Sequence, residues 1–241
     1  MRLDQYLVQN GLLESRARAQ EAIAAGLIKV NGAIASKPAQ KITEDASVIV
    51  LGEAHDYVSR GGVKLAAALS AFGIDPAGKV CLDLGASTGG FCDVLLRTGA
   101  AKIYAVDVGR DQLHEKIRGD ARVMNLERTH AKELSRALVP DPIELIVCDV
   151  SFISLKKALP FALALSGAAT ELVALVKPQF EVGREGLGKG GLVKEGLAGP
   201  VAQDMAKWIE VEGWRVNGVI DSPIRGGGGN KEFLLGATKA A

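Results

Sequence analysis

Four charged residues stand where the sequence otherwise favours burial or sharp turning. Lys64 follows "YVSRGGV", Asp149 follows "IELIVC", Lys177 follows "ELVALV" and Glu232 follows "GGGGNK". An unpaired buried charge is costly, so each either escapes to solvent or meets a partner. Asp149 and Lys177, at the ends of consecutive apolar runs, can pair, which removes the burial objection. Gathered in one crevice, the four can hold a hydroxyl group, take up its proton and steady the charge that develops. Taken singly, Lys64 reads as a solvated helix residue and Glu232 as an edge-strand charge; only the set points to catalysis.

A second constellation has the make-up of a ligand cradle. In "VCLDLGASTGGFCDVLL" an apolar run ends in Asp83, Gly85 permits a tight turn, Gly89 and Gly90 let backbone approach a ligand, and a helix begins near Phe91. Ser87, followed by Thr88, occupies the position of the second glycine of a G-x-G-x-x-G pattern, so a pyrophosphate fits poorly. Asp83 would repel a diphosphate and attract the ammonium and sulfonium of S-adenosylmethionine. The next apolar run, "KIYAVDV", ends in Asp107 and Val108, where a carboxylate can accept both ribose hydroxyls. A third ends at Asn125 and Leu126, which can meet the edge and face of an adenine. Asp149 lies near enough in this scheme to serve both cofactor and chemistry.

The elements that must hold these residues fall into two regions of different rhythm. In residues 1–58, "RLDQYLVQNGL" and "ESRARAQEAIAAG" read as short amphipathic helices stopped by glycine, with Ser15 as N-cap of the second. "LIKVNGAIA" is a hairpin around Asn31-Gly32, and "ASVIVLG" adds a strand. A linker, "GEAHDYVSRGG", follows. Residues 59–241 alternate strands at 79–84, 102–108, 122–126, 144–149, 172–177, 216–221 and 231–236 with helices at 63–72, 90–98, 131–138, 155–165 and 200–212. The strands are near-continuous apolar runs, as in a parallel sheet covered on both faces. The expected fold class is therefore α/β: a small α+β module, then a doubly wound Rossmann-like sheet whose ligands bind beyond the carboxyl ends of the strands.

Composition bounds the rest. Of 241 residues 48% are apolar and 24% charged, which is globular rather than disordered, and the net charge of +1 gives no overall pull on nucleic acid. Any RNA contact must come from local groups: Arg2, Arg16, Arg18, Lys37 and, in the glycine-rich stretch 181–196, Lys189, read as a mobile basic loop. Cations in the first turn of a helix are slightly unfavourable, which marks Arg16 and Arg18 for another purpose. The cysteines, Cys81, Cys92 and Cys148, are odd in number with no CxxC spacing, and the three histidines show no ligand spacing with them; buried free thiols and no metal are expected. No signal segment and no apolar run of about 18 residues is present, so a cytoplasmic protein without a membrane partner is expected.

The strings "RLDQYLV", "SRARAQEAIAAGLIKVNG" and the "KP" at Lys37-Pro38 resemble the S4 RNA-binding domain. The order Lys64, Asp149, Lys177, Glu232 resembles the K-D-K-E tetrad of FtsJ-like RNA ribose 2′-O-methyltransferases. "YVSRGGVKL", "DLGASTGGF", "CDVSFIS", "LVKPQFEVG", "GKGG" and "GNKEFLL" are similar to the TlyA family in particular, across essentially the whole chain. That resemblance implies a class I methyltransferase domain using S-adenosylmethionine on cytidine 2′-hydroxyls of ribosomal RNA, with the four tetrad residues catalytic and with ribosomal RNA or a ribosomal subunit as partner. A start directly at "MRLDQYL" resembles the shorter family type, associated with large-subunit RNA, which is the expected target, with small-subunit RNA left open as another. The family's historical haemolysin label implies a rival, a membrane-active protein; a non-catalytic RNA-binding protein on a Rossmann scaffold is another.

Overall fold

The computed structural model describes residues 1–43, 45–51, 55–226 and 228–240, in two compact units, Met1–Arg60 and Gly61–Ala241. The first three residues of the expected linker, 52–54, and one glycine of the "GGGG" run, 227, lie outside the described residues.

In the first unit, α1 (Leu3–Gln9) and α2 (Arg16–Ala24) precede a three-stranded antiparallel sheet of β1 (Ile28–Val30), β2 (Ala33–Ile34) and β3 (Val48–Val50), ordered β2-β1-β3. Asn31 and Gly32 both take positive φ, 50° and 83°, the twist that joins paired strands in two residues. Ser15 Oγ accepts the Arg18 N–H and so satisfies one free donor at the start of α2. Leu3, Leu7, Ala19, Ile23 and Ile28 form the core, at the spacing that puts one face of each helix on the sheet.

The second unit is built on a seven-stranded sheet. Its elements, in chain order, are α3 (Gly61–Phe72), β4 (Val80–Leu84), α4 (Gly90–Arg97), β5 (Lys102–Asp107), α5 (Glu115–Arg118), β6 (Val123–Glu127), β7 (Ile143–Cys148), α6 (Leu155–Leu163), β8 (Ser166–Val176), α7 (Ala198–Val211), β9 (Trp214–Asp221) and β10 (Phe233–Lys239). Strand order is β6-β5-β4-β7-β8-β10-β9, so the winding reverses between β4 and β7. Gaps beyond strand tips at such a reversal are where open α/β sheets bind ligands.

Two features depart from expectation. The sheet is not wholly parallel: β10 runs antiparallel to both β8 and β9. Only a short glycine-rich segment joins β9 to β10, and a parallel return needs a longer crossover, usually helical. The helix expected over 131–138 is a single 3-10 turn, Ala131–Glu133. After Leu134 leaves the helical region, a separate turn closed by Leu138 and Val139 N–H on Ser135 O leads into Pro140, so no continuous helix forms.

Candidate active site

The buried run of β8 stops at Val176, and Lys177 begins a 3-10 turn, Pro178–Phe180, whose proline cannot extend the strand. Its Nζ lies 2.6 Å from Asp149 Oδ1, with only 11% of the lysine side chain exposed. That contact is an ion pair by distance but lacks the angle of a hydrogen bond, and Asp149 Oδ1 has no other partner among the described residues. The directed bond of the ammonium goes to Ser151 Oγ, 2.7 Å away. Asp149 directly follows β7 and Lys177 directly follows β8, and these strands are parallel neighbours. Two carboxyl-end residues thus arrive side by side.

Lys64 and Glu232 form a second pair, Nζ to Oε2 at 2.5 Å, both nearly sealed from solvent. Register places Glu232 beside Lys177, because Phe233 pairs with Val176 across β10 and β8. Lys64 is delivered by α3, which is seated by a notch in the sheet. Gly218 and Gly236 face each other across β9 and β10, and a Cβ on Gly236 would lie 2.5 Å from the Phe72 ring. From Lys64 to Phe72 is about 12 Å along a helix, and from Glu232 to Gly236 about 13 Å along a strand. Matching lengths bring one ion pair and one glycine seat into register. A Cβ on Gly226 would collide with Glu232 Oε1, so the loop also wraps this carboxylate closely.

The glycine turn lies against the first pair. Asp149 N–H donates to Leu84 O at 2.9 Å, and a Cβ on Gly85 would stand 2.7 Å from Asp149 O. Gly85 and Gly89 have φ of 88° and 93°, and Ser87 is also left-handed at 46°. Asp107 accepts Ser87 N–H at 2.8 Å and Gly109 N–H at 2.7 Å, which fixes its carboxylate while each oxygen keeps a lone pair. Asp83 is fully buried; Cys92 Sγ donates to its Oδ2 at 3.0 Å, and Oδ1 has no partner among the described residues. Burial pushes the Asp83 carboxyl up to about 7, against the pull of the Cys92 hydrogen bond, and burial likewise raises Cys81 and Cys148 to about 12. An unsatisfied buried carboxylate oxygen beside a turn too tight for a side chain fits a cationic ligand that approaches closely, as the ammonium of S-adenosylmethionine would.

Other expected cradle residues are placed unequally. Ser87, Thr88 and Val108 are exposed, the last at 68%. Leu126 is half-buried. Gly90 is buried, and the Phe91 side chain is turned into the interior at 3% exposure, so it offers a ligand only backbone. The Asn125 amide is engaged with Glu127, donating to Oε2 and accepting its N–H. Among RNA-facing candidates, Arg16, Lys37 and Lys189 are exposed and Arg2 is half-buried, while Arg18 is drawn to His55, its Nη1 3.1 Å from Nδ1.

Three residues at the site escaped the sequence reading. Ser151 shares the lysine with Asp149. Phe152 is in the left-handed region at φ 64° and 91% exposed, its ring tilted against that of Phe180 with centroids 5.3 Å apart. A bulky residue in that conformation is uncommon and marks a constrained site. Asn230, 7% exposed, accepts Val193 N–H and donates to Gly191 O, tying the 181–196 stretch to the loop before Glu232. That stretch, expected to be a free loop, holds two 3-10 turns, Arg184–Gly186 and Lys189–Gly191, and an isolated bridge between Leu187 and Val193. The string "CDVSF" and the asparagine of "GGGGN" were the available signals.

Fold and crevice together define a methyltransferase unit carried with an S4-type module: residues 57–239 match the FtsJ-like methyltransferase family and residues 1–48 the S4 domain. The chain is 43% identical over 236 residues to the 16S/23S rRNA (cytidine-2′-O)-methyltransferase TlyA of Mycobacterium tuberculosis, covering 97% of this chain and 88% of that one. It is 42% identical to Hemolysin A of Brachyspira hyodysenteriae, over 97% and 98% of the two chains. A solved structure from Streptococcus thermophilus with a provisional hemolysin designation superposes at a TM-score of 0.79, with 39% identity over 100% of this chain and 88% of that one. The chain belongs to the TlyA family and is a methyltransferase. No helix among the described residues is long and apolar enough to cross a membrane.

Proposed function

We propose that this protein transfers a methyl group from S-adenosylmethionine to the ribose 2′-hydroxyl of a cytidine in ribosomal RNA, acting in the cytoplasm. One observation carries the reading: a nearly buried lysine is held by Asp149 at 2.6 Å and Ser151 at 2.7 Å, beside a glycine turn that admits no side chain. When bound, the cofactor supplies an electrophilic methyl on a sulfonium. Lys177, in its neutral form, takes the proton of the attacking hydroxyl, and Asp149 and Ser151 hold the resulting ammonium. Lys64, fixed by Glu232, supplies a second positive charge to the oxygen as it loses its proton. In this reading Asp107 accepts from the ribose hydroxyls and Asp83 meets the ammonium of the methionine part, with Gly85, Ser87, Thr88, Gly89, Gly90, Val108, Asn125 and Leu126 as the remaining cofactor contacts. Positioning of two reactants supplies much of such a rate.

Residues 1–58 form the RNA-binding part and 59–241 the catalytic part in this reading. Arg2, Arg16 and Lys37 in the first unit and Lys189 in the second offer phosphate contacts, and Arg18 stands on α2 with Arg16. Phe152 offers a stacking face, the usual means of holding an unstacked base. The test is Lys177→Met. Its expected result is a loss of about 10²–10⁴-fold in kcat, with cofactor affinity by calorimetry unchanged and 2′-O-methylcytidine absent from ribosomal RNA by mass spectrometry. Mapping RNA of both subunits identifies the target. A Lys177→Met protein that methylates at the parental rate would refute the assignment.

A further inference from the structure

Among the described residues of the first unit one carboxylate is fully enclosed. Asp4, on α1, has 0% exposure, yet its partners are half in water: Arg2 and Arg16 side chains are 42% and 54% exposed. Arg2 forks onto it with Nε to Oδ1 and Nη2 to Oδ2, both at 2.9 Å. Arg16 Nη2 and Gln20 Nε2 donate to the same Oδ2 at 3.2 and 3.1 Å, and Gln5 N–H donates to Oδ1 at 3.0 Å. Hydrogen bonds from Arg2 lead in holding this carboxyl well below the usual carboxylate range, so the anchor stays ionised.

Core stability alone explains a paired Asp4, but not two arginines on one oxygen pair with their outer donors uncommitted. Arg2 Nη1, and Nε and Nη1 of Arg16, have no partner among the described residues. Both guanidinium heads are therefore pinned within one carboxylate's width, outer edges toward solvent. The segment carrying Lys37 and Lys41 runs alongside: Leu3 N–H donates to Gln40 O, Asp4 N–H to Pro38 O, and Arg2 bridges Lys41. The surface holds four cations over one buried anion, in a chain whose net charge is only +1. Forked guanidinium donors match phosphate oxygens, and little side-chain entropy is left to lose when the heads are already fixed.

We propose that Asp4 is a positioning residue that fixes Arg2 and Arg16 as a paired guanidinium seat for a phosphodiester of structured RNA. This rests on the ribosomal RNA substrate proposed above. Bulk electrostatics gives the opposite expectation, because removing an acidic residue from an RNA-binding surface should tighten binding.

The experiment measures binding of the full chain to a ribosomal RNA fragment, with methyl-transfer kinetics alongside. Asp4→Asn should weaken RNA binding about tenfold although positive charge rises, through RNA KM with kcat and cofactor affinity unmoved. Glu14→Gln, the same charge change at an exposed residue, should leave binding equal or tighter. Arg16→Lys should weaken binding at constant charge. Asp4→Asn that is folded and binds as tightly as the parent overturns the proposal. Should Asp4→Asn lose helical signal, unchanged binding by Arg16→Lys overturns it instead. Tighter binding of the parent chain to anionic lipid vesicles than to RNA also overturns it. If the parent chain binds RNA but transfers no methyl group, the functional reading fails while the seat is still judged by binding.

Discussion

At the end of β4 the Asp83 carboxyl carries a pH signature. Its folded-state value is raised from 3.8 to about 7, chiefly by burial. The folded protein thus holds this proton more tightly than the unfolded chain. Its contribution to stability is present below about pH 4 and is lost as pH rises through 7, on the order of 4 kcal/mol in all. Asp83→Asn should therefore be more stable than the parent at pH 8, with the advantage vanishing near pH 4, read from denaturation midpoints across that range. Cofactor binding should run the other way. A bound ammonium favours the carboxylate, so parental affinity for S-adenosylmethionine should rise as pH passes 7, and that of Asp83→Asn should be weak and flat. An Asn variant no more stable at pH 8 would show that Asp83 is not strained by burial.

At the scale of elements, α3 decides whether the second ion pair exists. Its seat is the glycine notch at Gly218 and Gly236, filled by Phe72. Gly236→Ala forces the ring or the helix to move, at a cost of about 1–3 kcal/mol in stability. Because Lys64 lies about two turns earlier on the same helix, activity should fall further than this loss of folded protein explains, with cofactor binding kept. Calorimetry and initial rates on the purified folded fraction check this; full activity there would uncouple the seat from the site. The notch was not legible beforehand: two glycines 18 positions apart in "VNGVI" and "LLGAT" become one hole only when β9 and β10 pair. The reversal of β10 went unread, although its signal was present in a short glycine-rich connection that leaves no room for a crossover helix.

For the molecule as a whole, a near-neutral chain must gather its RNA affinity from local cations. Salt should therefore act on RNA engagement and spare the chemistry. Between 50 and 200 mM salt the RNA KM should rise about tenfold or more, while kcat at saturating RNA and cofactor affinity stay level. A KM independent of salt would remove phosphate contacts as the basis of binding. Much of the architecture was visible in residue order. Asn31-Gly32 announced the hairpin, Ser15 and Gly26 bounded α2, and apolar runs ending in Asp83, Asp107 and Asp149 located three strand tips. The crossover over 131–138 misled because its apolar spacing is helical, while the chain there folds as a 3-10 turn and a second turn at Ser135 that break the helix.

What the sequence determined by itself is local: where strands and helices begin and end, which turns need glycine, and that four charges sit at the margins of buried segments. Periodicity and turn chemistry act over a few residues, so they survive without knowledge of the fold. Only the tertiary structure decided whom each charge meets. Lys64 finds Glu232 across 168 positions, Ser151 joins Asp149 on Lys177, and Asn230 ties down a stretch 37 residues earlier. Those meetings depend on strand order, on the reversed β10 and on the depth of a glycine notch. They are set by packing between distant segments, for which no short window of sequence carries the information.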